Sequence, residues 1–223
     1  MCGRFTQQRP TSELAEIFAA TDLAGDPGGR YNVAPTDEAA VVVHRDERRA
    51  IVQYRWGLIP HWSDGPKIAA RTFNARAETV AVLPAFRDSL RRRRCLVPID
   101  SFYEWRRDGS ARRPYRIARG DGRPLVVAGL WAGWRDPATE TIRRTFTIVT
   151  KPATEQIAEL HDRMPAILPS AAWAAWLDVA GTDPGELQAL LGATDSELFE
   201  IHPVAPLVNN VRNDGPELAA PLA

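Results

Sequence analysis

Cysteine is nearly absent. Cys2 and Cys95 are the only two in 223 residues, which excludes a disulfide framework, and neither a CxxC nor an HExxH spacing offers a metal site. No apolar run approaches the roughly 18 residues that suggest a membrane span. The first residues lack the basic stretch and apolar run of a secretory signal. Repeats, low-complexity segments and Pro/Ser-rich linkers are also missing. The expected setting is therefore a reducing cytoplasm, where a terminal thiol stays free, with no metal, no cofactor and no membrane partner.

Lysine is equally scarce: Lys67 and Lys151 are the only two, so arginine carries the positive charge. The formal net charge of zero conceals an asymmetry. From Arg87 to Arg123 twelve arginines stand against five acids, and from Pro152 onward two arginines stand against eleven acids. A basic middle can meet an anionic partner such as nucleic acid, although arginine use is general along this chain.

What is present reads as a globular protein, with 44% hydrophobic and 25% charged residues. Thr11–Thr21 predicts a helix capped by Thr11 or Ser12, with Leu14, Ile17 and Phe18 on one face. Ala39–His44 and Ile51–Trp56 predict a strand pair, and Phe86–Arg94 a helix with basic residues along its exposed side. Five strand-like segments follow: Cys95–Ile99, Ser101–Arg106, Pro114–Ile117, Pro124–Trp134 and Thr145–Thr150. Glu155–His161, Ser170–Asp178 and Pro184–Leu191 predict helices, and Leu198–Val204 a last strand. A mid-chain strand run flanked by helices implies a single α+β domain on a mostly antiparallel, curved or barrel-like β-sheet with peripheral helices.

The second residue is chemically unusual. If Met1 is removed, Cys2 carries a free α-amine and a thiol two carbons apart. With a pKa near 7.7–8.0, roughly a quarter to a third of such an amine is unprotonated at pH 7.5, whereas a lysine near 10.4 holds about a thousandth as free base. The terminal amine can condense with an aldehyde, and the thiol can then close a five-membered thiazolidine. The same pair can act as a terminal nucleophile with its own amine as base. An isolated terminal thiol, however, would be inert, so partners elsewhere must decide.

Dense polar–aromatic clusters supply candidates. Arg30–Thr36 (RYNVAPT) places Asn32 and Pro35 in an apolar loop, and Trp56–Trp62 (WGLIPHW) sets two tryptophans around glycine and proline. Phe73–Thr79 (FNARAET) holds Asn74, Arg76 and Glu78, the latter two a candidate surface pair. In Cys95–Trp105 (CLVPIDSFYEW), Glu104 stands among Phe102, Tyr103 and Trp105, surroundings that raise a carboxyl pKa and suit it to proton transfer. Leu160–Pro165 (LHDRMP) puts His161 at a predicted helix end.

Taken in order, Cys2-Gly3-Arg4-Phe5, Asn32-Val33-Ala34-Pro35, Trp56-Gly57-Leu58-Ile59-Pro60, Asn74-Ala75-Arg76-Ala77-Glu78-Thr79, Cys95-Leu96-Val97-Pro98 with Phe102-Tyr103-Glu104-Trp105, and His161-Asp162-Arg163-Met164-Pro165 resemble the SOS response-associated peptidase family. The likeness covers residues 2–217 as one domain and leaves 218–223 as a tail. It implies a protein that binds abasic sites in single-stranded DNA and cross-links to them through Cys2, as a monomer that joins the nucleoid when bound. By motif, Cys2, Asn74, Glu104 and His161 would be catalytic, and Arg4, Asn32, Pro35, Trp62, Arg76 and Thr150 would line the DNA channel. Two departures stand out: Ser101 where relatives often carry glycine, and Ser63 where some carry a second tryptophan. Competing readings are a cysteine-type (auto)peptidase using Cys2, a non-covalent single-strand binder and, less fitting for want of a second domain, an N-terminal-nucleophile amidotransferase.

Overall fold

The computed structural model describes residues 2–45, 47–109, 111–181, 183–192 and 199–222. In chain order these form β1 (Phe5–Gln7), α1 (Thr11–Phe18), β2 (Thr21–Asp22), β3 (Arg30–Val33), β4 (Glu38–Arg45), β5 (Arg48–Trp56) and β6 (Asn74–Arg76). There follow α2 (Arg87–Arg92), β7 (Arg94–Ile99), β8 (Ser101–Asp108), β9 (Ala111–Arg119), β10 (Leu125–Arg135) and β11 (Ile142–Pro152). The remainder comprises α3 (Glu155–Ala158), β12 (Arg163–Pro165), α4 (Trp173–Leu177), α5 (Pro184–Gly192) and β13 (Phe199–Pro203).

The long strands close on themselves. β4 pairs antiparallel with β5 and with β7, β7 with β10, and β10 with β11. β11 then returns to β5 through a short parallel pairing, Thr145↔Arg55 and Phe146↔Trp56. The circuit β5–β4–β7–β10–β11–β5 is a closed, mixed, five-stranded barrel, which leaves its central strands no free edge. A second, antiparallel sheet runs β13–β9–β8–β1–β3. Gln7 stitches the two sheets together: its buried amide donates to the carbonyls of Ala40 and Pro98 and accepts from the Ala40 N–H.

Side chains alternate across each strand, and this divides the core. Ala40 and Val42 of β4 face the helices, packing with Leu14, Phe18, Leu90 and Trp176. Val41 and Val43 face the second sheet, packing with Phe5, Phe102, Ile117 and Cys2. Trp56 anchors that second cluster, fully buried, within 4.9 Å of Phe5 and stacked on Phe146, with its indole N–H donated to Phe73 O at 2.7 Å. Gly57 follows at φ +119°, and a Cβ there would stand 3.0 Å from Ala69 O, so the turn out of β5 demands glycine.

The α+β reading and the predicted long strands hold, with ends within three residues of those expected. The strand predicted over Leu198–Val204 is β13, and Leu198 lies outside the described residues. Other expectations are corrected. α1 stops at Phe18 because Ala19 turns left-handed (φ 47°), and Pro10 precedes it with no side-chain cap, Thr11 Oγ1 donating instead to Gly25 O. Ile17 is exposed while Leu14 and Phe18 are buried. The helix at Glu155 is a single turn ending at Ala158. Arg30–Val33 is a strand, not a loop, because it extends the second sheet beside β1. Arg94 is buried, and its guanidinium donates to the carbonyls of Leu90, Trp176 and Asp178.

Candidate active site

The antiparallel ladder between β1 and β8 brings the chain start to Glu104. Phe5 opposes Phe102, Thr6 opposes Ser101, and the Tyr103 N–H donates to Arg4 O at 3.0 Å. Beyond it, Gly3 lines one cleft with Glu104, and Cys2 lies close enough to feel the Glu104 charge. Ser101 sits here as an ordinary buried strand residue, its hydroxyl sharing a 2.8 Å hydrogen bond with Thr6 Oγ1 and accepting from Arg116 Nε. Nothing in that geometry requires glycine, so the departure at Ser101 leaves the acid's placement intact.

β11 brings in the other groups. On one side it pairs in parallel with β6, setting Ile148 opposite Asn74. On the other it pairs with β12, setting Pro152 opposite Arg163, and the turn into β12 carries His161. Asn74 Nδ2 donates to Cys2 O at 2.7 Å, while its Oδ1 is buried without a partner among the described residues. An amide that holds the second residue by one atom and keeps an acceptor in reserve is suited to orienting a nucleophile or receiving a ligand N–H or O–H.

The electrostatics are those of a proton-handling site. Glu104 is 2% exposed, and burial pushes its carboxyl up to about 7, partly offset by the positive chain terminus and the Trp105 N–H. It is thus divided between acid and base at neutral pH. Burial also drives the Cys2 thiol well above the ordinary thiol range, with the Glu104 charge adding to the effect. His161 is pulled below its usual value, first by burial and then by the positive terminus. Its Nδ1 accepts the Arg163 N–H at 3.0 Å and lies 2.8 Å from the Asp162 carboxylate. These contacts suit opposite protonation states. Because Asp162 is 85% exposed and the His161 pKa is lowered, the neutral ring with Nδ1 as acceptor is the consistent state. Proton chemistry then falls to Nε2.

Arg4, Glu104 and His161 line one cleft of about 870 Å³, with Trp105, Arg106 and Arg107 among its other walls. Another cleft, of about 600 Å³, lies beside Ala20, His44 and Arg49 and contains none of the expected site residues. The remaining channel candidates are dispersed. Asn32 is fully buried, its Nδ2 donating to the carbonyls of Asn210 and Asn213 and its Oδ1 accepting Arg4 Nη1 at 2.9 Å. Thr150 is likewise fully buried, its Oγ1 3.4 Å from Ala75 O. Both stand behind the surface, Asn32 as the bracket that aims Arg4. Pro35 is half-buried, and Arg76 and Trp62 are exposed, with Trp62 at 49%.

Sequence reasoning missed two groups. Arg163, quoted within its motif but given no role, forms a bidentate pair with Glu78 and donates to Thr150 O, taking the place expected of Arg76. Asn209 lines the cleft and accepts the Trp105 indole N–H at 2.7 Å, a long-range contact with no local signal. Among the described residues no cluster of His, Cys, Asp and Glu could hold a metal, and no helix is long and apolar enough to cross a membrane.

Residues 1–211 match the family model described as SOS response associated peptidase (SRAP). The chain is 38% identical to the abasic site processing protein YoqW of Bacillus subtilis (strain 168), covering 98% of each chain. It is 32% identical to the abasic site processing protein YedK of Escherichia coli (strain K12), covering all of both. It is also 32% identical to the abasic site processing protein HMCES of Gallus gallus, covering all of this chain and 78% of that protein. Among solved structures it resembles a Bacteroides thetaiotaomicron protein (TM-score 0.87, 23% identity, full coverage of both), a likeness of fold. A phage-related protein from Bordetella bronchiseptica is also similar, with TM-score 0.70 and 31% identity over 91% of this chain and 94% of that one.

Proposed function

The chain belongs to the SOS response associated peptidase family, and on that footing we propose that it captures abasic sites in single-stranded DNA covalently through Cys2. Relatives named as abasic site processing proteins support the lesion. One observation carries the chemistry: Asn74 holds Cys2 by its carbonyl next to a buried acid poised near 7, beside a cleft rimmed with arginine. Trp62 and Trp105 supply faces on which unpaired bases stack.

Removal of Met1 converts the Cys2 amide nitrogen into an amine. An abasic deoxyribose is mostly a closed hemiacetal; Glu104 in its acid form protonates the ring oxygen and takes up the C1′ hydroxyl proton as the C1′ aldehyde opens, which returns it to the acid form. The amine adds to C1′, and Glu104, with His161 Nε2 assisting, delivers the proton that lets the hydroxyl leave as water. The protonated imine then accepts the Cys2 sulfur at C1′, while the thiol proton passes to the Glu104 carboxylate. The net change is aldehyde plus amino-thiol to thiazolidine plus one water, with no oxidation. A bare imine acidifies C2′ and invites β-elimination of the strand, and ring closure removes it. The product shields the lesion rather than cutting it. Arg4 and Arg76 hold flanking phosphates.

A peptidase acting through the Cys2 thiolate is less well supported, because burial and the Glu104 charge both disfavour that anion. The test is denaturing electrophoresis after mixing the purified protein with abasic and intact single strands. Capture predicts a heat-stable shifted band with the abasic strand only, lost in Cys2→Ala, whose amine remains and is trapped as an imine by borohydride. Binding that ignores the lesion and leaves no denaturation-resistant band would replace this reading with a non-covalent one.

A further inference from the structure

The basic middle of the chain divides in three dimensions. Arg94 is consumed in the fold, and Arg93 lies over the Trp131 ring at 5.7 Å. The β8–β9 hairpin is different. Its register sets Arg106 opposite Arg113 and Arg107 opposite Arg112, two like-charged cross-strand pairs in succession. Pairs of that kind destabilise a sheet. Arg107, Arg112 and Arg113 are exposed, and among the described residues none has an acidic partner. Arg106 lies over the Tyr115 ring at 5.0 Å, which fixes its stem without neutralising its charge. Arg106, Arg107 and Arg112 line the cleft that holds Glu104 and His161. Glu159 and Asp162, from the segment between α3 and β12, line the same cleft, so it is basic along the hairpin and acidic along that segment.

From this arrangement we infer that the β8–β9 hairpin is a phosphate track, which seats the strand flanking the lesion beside Glu104. A nucleic-acid backbone entering this cleft lies along its arginines, and because Glu104 stands on the same strand as Arg106 and Arg107, phosphates held there keep the neighbouring sugar beside Glu104. Arg107 stands three steps along β8 from Glu104, about 10 Å at ~3.4 Å per residue, the reach of about three stacked nucleotides on one side of the lesion. The cross-strand repulsion, unrelieved in the free protein, is relieved when phosphates fill the track. The inference rests on the DNA reading above for the identity of the anion, and its test separates the two.

The test compares the wild type with R107Q/R112Q for binding to an intact, lesion-free single strand, by fluorescence anisotropy between 50 and 200 mM salt, alongside adduct formation on the abasic strand. Each phosphate contact on a single strand contributes a slope of about −0.7 in log K against log salt. The double variant is expected to show a slope shallower by about 1.4, so that the wild type loses about sevenfold more affinity than the variant over this range. Its melting temperature at low salt is expected to equal or exceed that of the wild type, because the repulsive Arg107–Arg112 pair is gone. An unchanged salt slope, or a variant that melts many degrees lower, would overturn the track and make these arginines ordinary surface or structural groups. A wild type that binds with the full slope and forms no adduct would instead count against covalent capture and leave the track standing.

Discussion

Glu104→Gln tests the buried acid through stability and chemistry at once. The substitution keeps the shape and removes the charge. An ordinary glutamate titrates near 4.5, and burial pushes Glu104 up to about 7. The folded protein therefore holds its proton over a window in which the unfolded chain has lost it. Glu104's contribution to stability is greatest below about 4.5, falls as pH rises, and stops changing above about 7. Linkage between those two values gives a loss of about 1.4 kcal/mol at pH 5.5 and about 3.3 kcal/mol at pH 8. The glutamine variant escapes both, so its advantage over wild type widens by about 2 kcal/mol across that interval. For a chain of this size that is a melting-temperature difference of about 4–8 °C. Differential scanning calorimetry at the two pH values reads it directly. The same variant is expected to form abasic adduct about 10²–10⁴-fold more slowly and to lose the pH dependence centred near 7. Melting curves that stay parallel between pH 5.5 and pH 8 would refute the claim that this carboxyl is held as an acid by burial.

Other outcomes follow from named contacts. Asn32→Ala removes the donor shared by the Asn210 and Asn213 carbonyls and the acceptor of Arg4. Leaving such buried groups unmet costs about 2–3 kcal/mol, seen as a lower urea midpoint, with weaker strand binding because Arg4 loses its bracket. Asn74→Ala removes the 2.7 Å hydrogen bond to Cys2 O. With about 1 kcal/mol of orientation lost, single-turnover adduct formation should slow several-fold while intact-strand affinity is unchanged.

The barrel was legible wherever strands are long. The β-branched runs in β4, β7, β10 and β11 announce themselves, because a strand buried on both faces needs such residues along its whole length. Its parallel closure was not, since only Thr145↔Arg55 and Phe146↔Trp56 make it and no local pattern encodes a two-residue pairing. The three-residue strands β6 and β12 were equally silent, although they carry or adjoin Asn74 and His161. Cys2, Glu104 and His161 could be singled out by chemistry alone. Asn32 reads as a ligand group because it is polar among apolar neighbours, yet its partners lie nearly 180 residues away and turn it into a bracket. The arginine surplus was countable, but whether it faces the site depends on the β8–β9 register.

The most direct measurement is the intact mass of the product formed with an abasic oligonucleotide, followed by peptide mapping. Capture through Cys2 predicts the mass of the protein without Met1 plus the strand, less one water, located on the N-terminal peptide. An adduct mapped to Lys67 or Lys151, or one formed by protein that still carries Met1, would contradict it.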